Sequence, residues 1–208
     1  MKALELKTSI NLKERKIQMS TQINVIMGPT FSGKTTSLQK ILKAHHEYHP
    51  VVTTTTRPPR INEHNGQDYF FVTNRQALLD YDEKIQIAPR SYQVATNETW
   101  TYYLSAKSLQ HLAPVNFLII DYKGYLELEA YILNHPDLDI NLHGYLLDTD
   151  LRVIFQRIAN SSRHNEDPKE TLRRLYDDTF NAFNLSNHAM KTHHIQKISA
   201  QDLINQFK

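Results

Sequence analysis

An apolar run, Ile23-Asn24-Val25-Ile26-Met27, feeds directly into Gly28-Pro29-Thr30-Phe31-Ser32-Gly33-Lys34-Thr35, and a helix-forming stretch from Lys34 to His45 follows. The eight loop residues fit the pattern GxxxxGK[ST]. Strand, glycine loop and helix in this order constrain the fold more than any other feature of the chain. Such a P-loop turns successive backbone N–H groups and a helix N-terminus toward one point, and anions bind there. Lys34 is placed to reach the β- and γ-phosphates of a nucleoside triphosphate, and the Thr35 hydroxyl to take one position on Mg²⁺. The candidate ATP-binding set is therefore Gly28, Pro29, Thr30, Phe31, Ser32, Gly33, Lys34, Thr35 and Thr36.

The rest of the chain alternates short apolar runs with helical stretches. Strands are expected at Ile23–Met27, Val51–Thr54, Tyr69–Val72, Val115–Ile120, Leu142–Leu147 and Ile195–Ile198. Helices are expected at Lys34–His45, Arg75–Asp80, Ala106–Leu112, Lys123–Asn134, Leu151–Asn160, Lys169–Phe183 and Ala200–Phe207. This alternation predicts an α/β fold of the P-loop NTPase type, a parallel sheet with helices on both faces, whose ligands sit beyond the carboxyl ends of the strands. Residues 53–104 break the rhythm with Thr, Tyr, Asn and Pro, and read as a small β-rich insertion in a core formed by 19–52 and 105–208. Its Asn65-Gly66 pair suits a hairpin turn. A polar stretch at 160–168 reads as a lid, and residues 1–18, basic and without a continuous apolar block, as an exposed N-terminal extension.

Composition narrows the function classes. The chain has no cysteine, which removes disulfides, thiolate catalysis and thiolate metal sites and suits a cytoplasmic location. Its formal charge of +2 is too small for a general nucleic-acid binder. No run approaches the ~18 apolar residues of a membrane span, so neither nucleic acid nor membrane is an expected partner. The adjacent histidines His45, His46, His193 and His194 lack i, i+4 ligand spacing and read as surface residues.

A second candidate site lies in Thr53-Thr54-Thr55-Thr56-Arg57-Pro58-Pro59-Arg60. The prolines impose an extended path with three residues per turn, which puts Arg57 and Arg60 on one face. Two guanidinium forks on a stiff arm suit a phosphate, and the hydroxyls of Thr53 and Tyr69 add neutral donors. Taken alone, the segment reads better as a proline-stiffened surface loop with solvated arginines.

With Glu63, Asn65-Gly66 and Asp68-Tyr69-Phe70-Phe71-Val72 behind it, this arm resembles the monophosphate arm of guanylate kinases, and the resemblance runs from about Ile23 to the C-terminus. It implies a core, a monophosphate-binding domain and a lid, with transfer of the ATP γ-phosphoryl group to GMP. It further implies that Thr53, Arg57, Arg60, Tyr69 and Tyr103 hold the acceptor phosphate. Asp121 would act with Thr35 on Mg²⁺ or its waters. Lys34 and the lid arginines Arg157, Arg163 and Arg174, or Arg173 in its place, would serve the transferring group.

The departures concern the base. The glutamate with which the family reads guanine falls on Ala88 when counted from the arm and on Val94 when counted from the tyrosine pair. Leu104 stands where a glycine is usual, and Ile119 where an acidic residue precedes Asp121 by two. Two other readings stay open: a P-loop kinase of another phosphorylated small molecule, and a non-catalytic guanylate-kinase-like module that binds proteins. An intact P-loop speaks for the kinases.

Overall fold

The computed structural model describes residues 20–94, 97–160, 168–177 and 187–208. The extension at 1–18 and most of the expected lid lie outside these residues. β1 (Thr21–Met27) leads through the glycine loop into α1 (Lys34–Ala44), followed by the two-residue strands β2 (His49–Pro50), β3 (Thr54–Thr55) and β4 (Phe70–Phe71). Then come α2 (Asn74–Asp82), β5 (Gln86–Gln93), β6 (Thr99–Ser105), β7 (Val115–Ile119), α3 (Tyr122–Leu133), β8 (Ile140–Leu147) and α4 (Leu151–Ala159). α5 (Pro168–Asp177), α6 (Asn187–Thr192), β9 (Ile195–Ile198) and α7 (Ala200–Gln206) complete the order.

Five strands form a wholly parallel sheet in the order β2-β7-β1-β8-β9. Its central strand β1 is buried from Ile23 to Met27, as a parallel strand covered on both faces must be. On one face Ile23, Val25, Met27, Leu118 and Leu146 pack with Tyr125 and Leu128 of α3. On the other, Ile26, Phe117, Tyr145 and Leu147 pack with Ile41 of α1 and Leu203 of α7. Asn116 fixes the entry into β7, since its amide donates to the Gln22 and Ala113 carbonyls and accepts from Ala113 N–H. Side-chain caps start the helices where they begin. Thr73, Asp121, Asp150 and Ser199 accept from Gln76, Gly124, Arg152 and Asp202 N–H respectively.

A second sheet, β4-β3-β6-β5, carries the insertion; β3 pairs parallel to β4 and antiparallel to β6, and β5 and β6 are antiparallel. Here the sequence expectations need correction. Val51–Thr54 is not one strand: Pro50 and Thr54 belong to different sheets, and the chain crosses between them over the intervening residues. Asn65-Gly66 does not turn a hairpin. Gly66, at φ 79°, donates to the Tyr69 carbonyl and closes a loop instead. The hairpin of this sheet is β5–β6, which polar alternation and Pro89 obscured in sequence. The expected helix at Ala106–Leu112 is one 3₁₀ turn, Ala106–Leu109, cut short ahead of Pro114. The helix expected over Lys169–Phe183 is described as α5, and its C-terminal part lies outside the described residues.

Among the described residues no helix is long and apolar enough to cross a membrane. Nor do three acidic or histidine side chains gather into a metal cluster there.

Candidate functional site

The carboxyl ends of β1, β7 and β8 open on one side of the core sheet, and the loops there are shaped by backbone geometry. Gly28 (φ 148°) and Gly33 (φ 104°) take conformations that L side chains rarely adopt, and Phe31 sits at φ 62°. A Cβ on Gly28 would also lie 2.9 Å from the Ser32 hydroxyl and 3.1 Å from Leu147 Cβ. The loop between them is pinned from outside. Thr149 donates to the Ser32 carbonyl at 3.1 Å, and Arg157 Nη1 to the Phe31 carbonyl at 2.8 Å. Lys34 folds back over the loop, its ammonium donating to the carbonyls of Gly28 (2.7 Å) and Pro29 (2.9 Å). The Ser32 hydroxyl is buried and has no partner among the described residues. Thr35 and Thr36 are exposed in the first turn of α1.

The arm faces this loop across a cavity of about 590 Å³, lined by Gly28, Thr30 and Lys34 on one side and by Thr53, Arg57, Arg60 and Tyr69 on the other. Arg57 is only 3% exposed and is held by Glu63, with Nη2 to Oε1 at 2.9 Å. Its guanidinium lies over the rings of Tyr69 (5.3 Å) and Phe71 (5.6 Å), an environment that suits Arg better than Lys. Glu63 also accepts from Arg60 N–H at 2.7 Å and so sets the path of the arm between the two arginines. Sequence reading quoted Glu63 as part of a motif but missed this pairing, although an i, i+6 acid beside a stiff arginine arm was the available signal. Burial pushes the Tyr69 phenol above its ordinary range, so it stays a neutral donor.

Tyr103 also lines the cavity, but it is 2% exposed and its hydroxyl donates to Asp80 of α2. Burial first, then the hydrogen bond to Asp80, pushes its pKa up. Asp121, just beyond β7, caps α3 through Oδ1 to Gly124 N–H at 2.6 Å. Its Oδ2 faces Arg90 Nε and the Tyr92 hydroxyl, each at 3.4 Å. Of the paired lid arginines, Arg173 lines the cavity with its guanidinium 5.2 Å from the Tyr92 ring centre. The Arg174 side chain and all of Arg163 lie outside what is described, and Arg157 reaches the P-loop rather than the cavity.

The base-reading positions give the clearest departure. Ala88 and Val94 both line the cavity, and Asp121 is the one carboxylate among the described lining residues. Between them sits Arg90, which sequence reading passed over. Glu98, the acidic residue of the longer hairpin, is exposed and accepts from the Trp100 indole N–H at 3.1 Å.

The sequence profile of one family, described as guanylate kinase, matches residues 20–99. The guanylate kinase of Schizosaccharomyces pombe is 30% identical over 167 residues, 74% of this chain and 80% of that protein. With the guanylate kinases of Lawsonia intracellularis (38% over 60 residues) and a Nostoc species (36% over 73), the match is confined to 28% and 36% of the relative's length. In three dimensions the crystal structure of guanylate kinase from Anaplasma phagocytophilum superposes with a TM-score of 0.56 at 18% identity. That superposition covers 91% of this chain and 82% of the other, and it shows the shared fold. A P-loop is common to many unrelated nucleotide-binding proteins, whereas agreement that also takes in the arginine arm and most of the chain is not, and on that breadth the chain belongs to the guanylate kinase family.

Proposed function

We propose that the chain is a nucleoside monophosphate kinase of the guanylate kinase type, transferring the γ-phosphoryl group of ATP to GMP or a related monophosphate. One observation carries this reading: the P-loop and the arginine arm line a single cavity, so a donor and an acceptor phosphate can meet in shared space. The acceptor phosphate has a second pKa of about 6 and is largely dianionic at neutral pH, so no side chain need remove a proton. The task is to bring two anions in line and offset their repulsion.

In this reading the loop N–H groups and Lys34 hold the donor phosphates, Lys34 exchanging its two carbonyl partners for phosphate oxygens. Arg57, Arg60, Thr53 and Tyr69 hold the acceptor. Tyr103 joins them only by giving up Asp80. Arg157 braces the loop, while Arg163 and Arg174, with Arg173, belong to the part that closes over the transferring group. For Mg²⁺, the exposed Thr35 hydroxyl and the Asp121 carboxylate are hard oxygen donors, the set that this ion completes with water and phosphate oxygens. Because both Asp121 oxygens already face partners, its natural role is through waters of the ion. When bound, the metal neutralises charge on the donor phosphates.

The test is ADP formation from ATP in the presence of GMP, dGMP, AMP, IMP, UMP or CMP, each alone. ADP production that depends on at least one of them supports the reading. ADP production independent of all six overturns it.

A further inference from the structure

We infer that Arg90 reads the base of the acceptor, and that the acceptor is a 6-oxopurine monophosphate recognised through its oxygen-bearing edge rather than through its amino group. This rests on the kinase reading above and specifies its substrate. The strand carrying Arg90 is bulged. Ile87 pairs with Leu104 and Arg90 with Tyr102, so two residues of β5 face one of β6, and Ala88 takes φ 53°. Such a bulge re-aims the side chains that follow it. It delivers Arg90 to the cavity wall, between Ala88 and Val94, where the family's carboxylate is missing.

The Arg90 side chain is 15% exposed, and its guanidinium is unevenly satisfied. Nη1 donates to the Pro89 carbonyl at 2.6 Å and to Glu127 at 3.0 Å. Nε and Nη2 are buried and have no hydrogen-bond partner among the described residues; Asp121 Oδ2 is 3.4 Å from Nε, close enough to balance charge but not aligned to accept. Buried donors left unmade cost free energy, so a pair of them beside a binding cavity calls for a ligand. Nε–H and Nη2–H point the same way and form one two-donor edge.

That edge matches two adjacent acceptors, and O6 with N7 of a 6-oxopurine is the nucleobase pair that arginine reads in this bidentate way. Adenine offers an amino group where O6 would be. A second anionic group on the ligand is disfavoured, because Asp121 and Glu127 already balance the Arg90 charge. The rings of Tyr92, Trp100 and Tyr102 on the same cavity suit a planar base. The donor edge is shielded from bulk water, and engaging the base requires the guanidinium to move away from Asp121, whose Oδ2 lies 3.4 Å from Nε.

Calorimetric binding of GMP, IMP and AMP to the full chain and to Arg90→Met tests this, with turnover followed in parallel. We expect GMP and IMP to bind within about threefold of each other, and AMP at least about tenfold more weakly, as one lost charged hydrogen-bonding pair dictates. Arg90→Met should weaken GMP and IMP to the AMP level while ATP affinity stays the same. Equal binding of IMP and AMP by the parent chain overturns the inference without any variant. So does a preference of more than about tenfold for GMP over IMP, since the amino group would then be read. Binding of no monophosphate, or an unchanged preference in a folded Arg90→Met chain, overturns it as well. Binding as expected but without turnover leaves Arg90 as the reader and defeats the kinase reading instead.

Discussion

Arg57 lines the arm side of the cavity, and its setting predicts two different failures. On the proposed function, Arg57→Ala removes a charged donor that holds the acceptor phosphate and should raise the acceptor KM by about tenfold to a hundredfold, with ATP affinity unchanged. Titrating ATP and monophosphate separately checks this. Glu63→Ala leaves the buried guanidinium without its counter-charge, so it should cost about 3–5 kcal/mol of stability, read from urea unfolding. At the other end of the cavity, Lys34→Ala should lower kcat by about 10²- to 10³-fold, the scale of losing one preorganised charge-stabilising donor, and leave the melting temperature near that of the parent. Arg57, Arg60 and Tyr69 were legible in sequence because they belong to a compact local motif. Arg90 was not, because its partners Asp121 and Glu127 lie on another element, 37 residues away in the case of Glu127, and its aim depends on a bulge that no residue pattern announces.

At the scale of elements, the long parallel strands were legible because burial on both faces leaves continuous apolar runs, and the helices because they fill the stretches between those runs. The two-residue strands were not, since pieces so short carry no period and are fixed by their partners in the sheet. Where β8 passes between its neighbours the packing is tight. A Cβ on Gly144 would lie 2.7 Å from Ile195 Cγ1 of β9, 3.0 Å from Met27 Cε and 3.1 Å from Tyr125 Cε2 of α3. Gly144→Ala should therefore destabilise by about 1–3 kcal/mol through overpacking, measured as a lowered urea midpoint. A variant as stable as the parent would mean that β8 and β9 can separate without loss.

For the molecule as a whole, burial raises the phenols of Tyr69, Tyr103, Tyr125 and Tyr145 above their ordinary value of 10.0. The unfolded chain then releases these protons first, so the stability they carry is full below pH 10 and falls as pH rises through their folded values. Tyrosinate absorbance of these groups should appear only together with the loss of circular dichroism above that pH; phenol ionisation in a still-native chain would contradict their burial. The meeting of core sheet and insertion at one cavity was legible only through the family resemblance, because the contact joins parts of the chain with no shared local pattern. Transfer of label across that cavity tests whether the two parts meet around a donor and an acceptor. Incubating the chain with Mg²⁺, γ-labelled ATP and a mixture of nucleoside monophosphates should place the label in a nucleoside diphosphate, in step with ADP, and Lys34→Ala should suppress it. Label recovered only as inorganic phosphate, or retained in ATP, would contradict the account.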